Sequence, residues 1–174
     1  THSAHANDLD IRIFKSPSSL IEALEISEPD ILGMSNYGWN TDLNRTILDS
    51  FRKRYPHMLT VFGGPSIRVD PDGISAWLQN NRTVDVYVMY EGEKSFRDLI
   101  GLWFEKGRSF LSSPSILENC AYLTDGGEMH FIEAKISHGL EDFPSPYLNG
   151  SLDSFLAKGM IPLFETNRGC PFAC

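Results

Sequence analysis

The sequence predicts an α/β domain in which helices cover both faces of a doubly wound parallel sheet. Up to Gly107, short apolar runs alternate with amphipathic segments. Parallel strands need crossover connections, which are usually helices, so this alternation favours a parallel sheet. One of the runs, "DILGMS", is apolar enough to be covered on both faces, as strands of such sheets are. The predicted strands cover residues 10–14, 30–35, 59–65 and 84–93.

End signals delimit the first two predicted helices. Ser19 and Glu22 have the spacing of a capping box at the start of the first helix. Thr41 and Asp42 suit the start of the second helix, and Pro56 ends it because proline cannot continue a helix. The apolar stripe of the second helix comprises Leu43, Ile47, Leu48, Phe51 and Tyr55.

Two further helices complete the alternation. "GISAWLQN" predicts a short helix after the third strand, and "SFRDLIGLWFEKG" predicts a longer one that Gly107 ends. The apolar side of the longer helix comprises Phe96, Leu99, Ile100 and Trp103.

The pattern changes after Gly107. "AYLTDGGEMHFIE" predicts a hairpin that turns at residues 125–127, and a proline-rich connector follows it. "IPLFETNRG" predicts one more apolar strand. We therefore predict three parts: an α/β domain over 1–112, a hairpin and linker over 113–160, and the start of another domain over 161–174.

Composition limits the partners and the compartment. The net charge of −8 and the pI near 5.0 argue against nucleic acid and anionic membranes, since both attract clusters of Lys and Arg. No run approaches the roughly 20 apolar residues of a membrane span. Three cysteines are an odd number, which argues against a full disulfide framework and favours a reducing, cytoplasmic setting.

Three turns come directly after predicted strands and are the candidate ligand site. Ligands of doubly wound sheets bind at the carboxyl ends of the strands. Two glycines allow a ligand to approach the backbone, although a tight packing turn explains them more simply. For Glu93 the start of the following helix is the favoured explanation, whereas the role of Glu91 stays open. No dinucleotide or Walker motif is present. The candidate residues are Ser35, Asn36 and Tyr37, then Gly63, Gly64 and Pro65, then Glu91, Gly92 and Glu93.

The cysteine pair at Cys170 and Cys174 is the most specific chemical signal. Zinc ribbons use two-residue spacers and a distant second pair, whereas iron–sulfur loops use thiolates at other close spacings. A pair on the last five residues is expected to be the front part of a longer motif, so we expect the chain to be a fragment. Cys120 stands alone, and a small buried apolar residue is the default interpretation for it.

The stretch "NRGCPFAC" resembles the opening of the Cys-x-x-x-Cys-x-x-Cys motif of radical S-adenosylmethionine enzymes. The sequence upstream of it is similar to the cobalamin-binding domain that precedes the barrel in one branch of these enzymes. That domain is Rossmann-like or flavodoxin-like in fold. The matching stretches are "DILGMSNYGWN", "TVFGGPS", "VDVYVMYEGEKSF" and "PSPYLNGSLDSF".

The resemblance implies a chemistry. Cys170 and Cys174 would be two of three ligands to a [4Fe-4S] cluster, whose open iron binds S-adenosylmethionine and cleaves it reductively. The parent would be an enzyme, perhaps a methyltransferase, with an electron donor such as flavodoxin or ferredoxin and a small-molecule or peptide substrate. Cobalamin's nucleotide tail would run along the three turns named above. The 174 residues alone are expected to be inactive.

Two departures and two alternatives accompany this resemblance. The Asp-x-His-x-x-Gly string that supplies a cobalt-ligating histidine is missing, so we expect binding without it. A strand and helix are expected before Asp10 in a full domain of this type. A flavodoxin-like module that binds a flavin or a protein, without catalysis, stays open as an alternative, and so does a structural zinc site.

Overall fold

The computed structural model describes residues 5–134 and 143–164. The chain forms two compact units, Thr1–Ile136 and Ser137–Cys174. Among the described helices, none combines the length and the apolar character that a membrane crossing requires.

The first unit is built on a five-stranded sheet in which the strands lie in chain order. The first three strands are parallel, and the last two are antiparallel to their neighbours. The α/β prediction is confirmed, but the sheet is mixed and has three parallel strands where the sequence suggested four. The strands are β1 (Ile31–Ser35), β2 (Leu59–Gly63), β3 (Val86–Val88), β4 (Cys120–Leu123) and β5 (Met129–His130).

Helices cover both faces of this sheet. Alternate residues of β2 and β3 face opposite sides, so Phe62 and Tyr87 pack on one side while Val61 and Val86 pack on the other. The helices are α1 (Pro17–Ile26), α2 (Thr41–Arg52), α3 (Pro71–Asn80) and α4 (Gly92–Lys106), with 3-10 segments at Ala6–Asp8 and Gly107–Ser112. Residues from α1, α2 and α3 cover the first side, and Leu99 of α4 covers the second.

Two of the predicted helix ends are wrong and one is confirmed. Helix α1 begins at Pro17 after Ser16, so Ser19 lies inside the first turn and cannot form the predicted capping box. Helix α2 ends at Arg52, before Pro56. Gly107 does end α4, with a φ of +54° that favours glycine.

The strand predicted at residues 10–14 is wrong. Ile11 and Ile13 are 59% and 52% exposed and lie in irregular backbone. Strand β1 is the edge of the sheet within the described residues. Apolar alternation favours a strand only where another strand offers its backbone groups, and no described strand pairs with this segment.

The predicted hairpin is confirmed and joins the sheet. Thr124 and Gly127 close its turn, with a 2.8 Å bond from the Gly127 N–H to the Thr124 carbonyl. Strand β4 pairs with β3, Val88 lying opposite Cys120. The hairpin therefore extends the same sheet that carries the three candidate turns.

The amino-terminal end of the sheet contains a buried ion cluster. Asp85, just before β3, accepts bonds of 2.9 Å from Arg52 and 2.7 Å from Arg108. It also accepts from the Thr60 N–H at 2.8 Å. Burial alone would raise the pKa of Asp85, but the bonds and charges of the two arginines outweigh it and lower that pKa.

In the second unit, Tyr147 contacts the last two described residues. The Tyr147 hydroxyl donates to the Leu163 carbonyl at 2.8 Å and accepts from the Leu163 N–H at 3.0 Å. Its ring lies 5.0 Å from that of Phe164. Residues 161–164 form no strand, so the predicted strand is wrong for the part of it that is described. A short helix, α5, spans Asp153–Leu156.

Candidate cofactor site

The three candidate turns lie at one edge of the sheet. Strands β1 to β3 run in the same direction, so their carboxyl ends meet there. Ser35 lies opposite Gly63, and Gly63 lies opposite Val88. The first two turns are therefore direct neighbours, and the third begins shortly after β3 ends.

Asn36 joins the first turn to the strands beneath it. Its side chain is fully buried, and its amide nitrogen donates to the Tyr87 hydroxyl at 3.0 Å. Its amide oxygen accepts from the Thr41 hydroxyl at 2.8 Å. A buried amide needs such partners, because an unsatisfied one would be costly. Asn36 was among the predicted site residues, and its role in the structure is to hold the turn.

Tyr87 joins the second turn to the same network. Its hydroxyl donates to the Gly64 carbonyl at 2.8 Å while accepting from Asn36. The Asn36 N–H in turn donates to the Gly63 carbonyl at 2.7 Å. Burial raises the pKa of Tyr87, against the lowering effect of the Asn36 bond, so the hydroxyl keeps its proton as a donor. The first two turns thus form one hydrogen-bonded unit.

The close approach of the first two turns explains why position 64 is a glycine. Its φ is +139°, and a Cβ placed on it would lie 2.4 Å from the Asn36 carbonyl oxygen. A Cβ on Gly63 would meet Val88 only at 3.5 Å, an ordinary contact. The packing interpretation of the glycine pair therefore accounts for Gly64, whose missing side chain makes room for protein backbone.

The outer surface of these turns is accessible. Ser35 and Pro65 are exposed. Tyr37 stacks on Trp39 with ring centroids 4.6 Å apart, and Trp39 is 82% exposed. Tyr37 was a predicted site residue but Trp39 was missed, although a tryptophan in a strand-to-helix loop is itself a signal for a binding surface.

The third turn forms the start of α4. Glu91 is the N-cap residue, and Gly92 and Glu93 are in the first helical turn. Glu93 thus has the position in which a negative charge favours a helix start, as the simpler interpretation held. Tyr90, just before the turn, has a φ of +55° and donates from its hydroxyl to Glu133 at 2.7 Å. No local sequence pattern indicated this contact.

No group of three or more His, Cys, Asp or Glu residues in the described parts of the chain is arranged to hold a metal ion. Cys170 and Cys174, the predicted cluster ligands, lie outside the described residues. Cys120 is fully buried, and burial raises the pKa of its thiol to about 12. Such a thiol stays protonated and unreactive, so the interpretation of Cys120 as a small apolar residue is confirmed.

The chemistry of this edge suits a large ligand with both apolar and polar surface. The Ser35 hydroxyl and the backbone of the turns offer hydrogen bonds, while the 82% exposed Trp39 offers apolar area. The three turns contain no histidine. Pockets of α/β domains that bind cofactors combine these features at the carboxyl edge of the sheet. The fold and the composition of this edge are typical of α/β domains that bind a cofactor.

Comparison with known families identifies which kind it is. A family model described as "B12 binding domain" matches residues 4–100, which include all three turns. The chain belongs to this family of B12-binding domains. The resemblance noted from the sequence motifs is confirmed.

Two curated relatives match almost the whole chain. The "Cobalamin-dependent radical SAM methyltransferase TokK" of Streptomyces tokunonensis is 32% identical over 172 residues. The "2-(S-pantetheinyl)-carbapenam-3-carboxylate methyltransferase" of Streptantibioticus cattleyicolor is 30% identical over 173 residues. Each alignment covers 92% of this chain and 24% of the relative. The chain thus spans about a quarter of the length of these relatives.

Proposed function

We propose that the carboxyl edge of β1 to β3 binds cobalamin, with its nucleotide tail along the three turns. The observation that carries the proposal is the meeting of these turns at one accessible edge within the residues that match the B12-binding family. The same match favours cobalamin over the flavin of the alternative interpretation. When bound, cobalamin supplies a cobalt centre that can carry a methyl group.

The chain's own residues divide into two groups in this proposal. Asn36 and Tyr87 are buried and do not contact the ligand, and their hydrogen bonds fix the first two turns to each other. Ser35, Pro65 and the third turn face the ligand, and the stacked Tyr37 and Trp39 offer it an apolar surface. The three turns contain no histidine, so their side chains would not supply an imidazole ligand to cobalt.

Titration with hydroxocobalamin tests this site. Ser35→Trp and Pro65→Trp place a bulky ring on exposed positions of the proposed edge and should weaken binding at least about tenfold, equivalent to 1.4 kcal/mol. His57→Trp is the matched control, because His57 is exposed at the opposite end of the sheet, before β2. If all three variants bind hydroxocobalamin as tightly as the unchanged protein does, the assignment of the site to this edge is wrong. Gly64 is a poor choice for this test, since any side chain there collides with Asn36.

We infer further that the whole protein is a cobalamin-dependent radical S-adenosylmethionine methyltransferase. Both relatives are named as methyltransferases, and one as a radical SAM enzyme. Cys170 and Cys174 would be two thiolate ligands of a [4Fe-4S] cluster, with a third thiol three positions beyond Cys174 in a longer chain. Reduction would need an electron donor such as flavodoxin or ferredoxin in a reducing, cytoplasmic compartment. The substrate would be a small molecule or a peptide.

Metal analysis of the longer protein, purified without oxygen, tests this wider proposal. We expect iron and sulfide at about four each per chain, together with a corrinoid absorption spectrum. Cys170→Ala and Cys174→Ala should each abolish the iron signal, whereas Cys120→Ala should keep it, because Cys120 is buried in the core. A colourless anaerobic preparation of the unchanged protein would contradict the proposal.

A further inference from the structure

Within the described residues, two residues other than glycine have a positive φ, and they lie at the same end of the antiparallel pair β3–β4. Tyr90 comes after β3 and Asn119 precedes β4, and both have a φ of +55°. The Met89 N–H donates to the Asn119 carbonyl at 2.8 Å, so the two residues are almost opposite each other. Asparagine is tolerated in this conformation, whereas a bulky tyrosine is an outlier there. Tyr90 must therefore be held by its surroundings.

The segment Ile132–Ala134 supplies those surroundings. Asn119 binds it at three points: its N–H donates to the Ile132 carbonyl at 2.7 Å, and its amide exchanges bonds of 2.9 Å and 3.2 Å with Ala134. Between these residues, the Glu133 carboxylate accepts from the Tyr90 hydroxyl at 2.7 Å. Asn119 fixes the segment, and the segment holds Tyr90.

The position of Tyr90 in the chain gives this arrangement its importance. The next three residues are the third turn of the cofactor site, Glu91-Gly92-Glu93, which begins α4. The direction in which the chain enters this turn is set by the backbone of Tyr90. Glu133, which accepts the hydrogen bond from Tyr90, lies near the end of the first unit, whose last residue is Ile136.

We propose that Tyr90 is a positioning residue for the cobalamin site, which holds the third turn in its binding conformation through the hydrogen bond to Glu133. The inference rests on the proposed function of the edge. It adds a link between the cofactor site and the segment through which the chain leaves the first unit. In this proposal, the hydroxyl of Tyr90 only donates the hydrogen bond to Glu133 and does not contact the cofactor.

Hydroxocobalamin titration of the 174-residue chain, followed by absorption, tests this link. Tyr90→Phe keeps the ring and removes the hydroxyl, and Glu133→Ala removes the acceptor. Each should raise the dissociation constant about threefold to tenfold, the size of effect expected when one typical hydrogen bond is lost. Glu133→Gln keeps an acceptor oxygen and should retain most of the affinity. The double variant Tyr90→Phe, Glu133→Ala should bind hydroxocobalamin no more weakly than either single variant does.

A control separates positioning from general loss of stability. Tyr55→Phe removes a buried hydroxyl that donates to the Leu24 carbonyl away from the candidate turns, so it should lower the melting temperature without changing the affinity. If Tyr90→Phe weakens binding and Glu133→Ala does not, Tyr90 touches the ligand directly and the positioning role is overturned. Unchanged affinity in both variants overturns it as well, and leaves the cobalamin site standing. An unchanged chain that binds no cobalamin removes the proposed function itself.

Discussion

The amide nitrogen of Asn36 lies 3.0 Å from the hydroxyl of Tyr87, and both side chains are fully buried. The pair lies where an α/β sheet would otherwise have only apolar contacts. Each residue also reaches the next turn, Tyr87 through the Gly64 carbonyl and Asn36 through the Gly63 carbonyl. A short polar network thus fixes the shape of the edge that we assign to cobalamin.

Tyr87→Phe should lower the free energy of unfolding by about 1–3 kcal/mol, because it leaves the Asn36 amide and the Gly64 carbonyl without this partner. Asn36→Ala should have an effect of similar size. The double variant should cost clearly less than the sum, since both changes remove the same bond. Urea unfolding of the four proteins measures the cycle, and additive losses would show that the two side chains act independently.

Gly64→Ala should destabilise the fold by about 2–4 kcal/mol, because the new Cβ would collide with the Asn36 carbonyl in a conformation that disfavours side chains. Gly38→Ala is the matched control in the neighbouring loop, where a Cβ would meet no atom within 4 Å. Thermal unfolding of both variants gives the comparison. Similar melting temperatures for the two would contradict the packing role of Gly64.

Asp85→Asn should lower the free energy of unfolding at pH 7 by about 3 kcal/mol, because two arginines lose their buried counter-charge. The pKa of Asp85 is lowered in the folded state, so its stabilisation is complete above the unfolded value of about 3.9. It is lost as the pH falls through the folded pKa.

The difference between Asp85→Asn and the unchanged protein should therefore be constant from pH 7 to pH 5 and should shrink below about pH 4. Urea unfolding at several pH values measures this. Asp49→Asn, at an exposed position of α2, should show a small difference throughout. A difference for Asp85→Asn that stays the same at pH 3 would mean that the ionised carboxylate does not carry the effect.

Cys120 should resist alkylation in the folded protein. With the pKa of its thiol raised to about 12, only roughly one molecule in ten thousand carries the reactive thiolate at pH 8. Iodoacetamide labelling followed by peptide mapping should be about a thousandfold slower for Cys120 in native buffer than in denaturant. Comparable rates in the two conditions would show that the thiol is reachable.

Local patterns were sufficient to predict much of the fold. Helices α1 to α4, strands β1 to β3 and the hairpin turn were all predicted, because periodicity, glycines and turn residues act within a few positions. Residues 10–14 were predicted wrongly for the same reason: their alternation is local, but a strand exists only if another strand pairs with it.

Other features of the edge depend on residues far apart in the chain. Tyr87 reaches Asn36 across 51 positions, and Tyr90 reaches Glu133 across 43. No sequence pattern around Tyr90 indicates its positive φ, or its hydrogen bond to Glu133 in the segment after β5. The partners of Asp85 are also distant in the sequence, because Arg52 precedes it by 33 positions and Arg108 follows it by 23.

The sequence by itself determined the family, the α/β alternation and the three turns that end the parallel strands, because each is written in a short run of residues. Only the tertiary structure decided that Gly64 is small to admit the backbone of Asn36, and that Tyr90 is held by Glu133. The physical reason is that hydrogen bonds and close contacts depend on distance in space. That distance becomes defined only when the sheet brings its strand ends together.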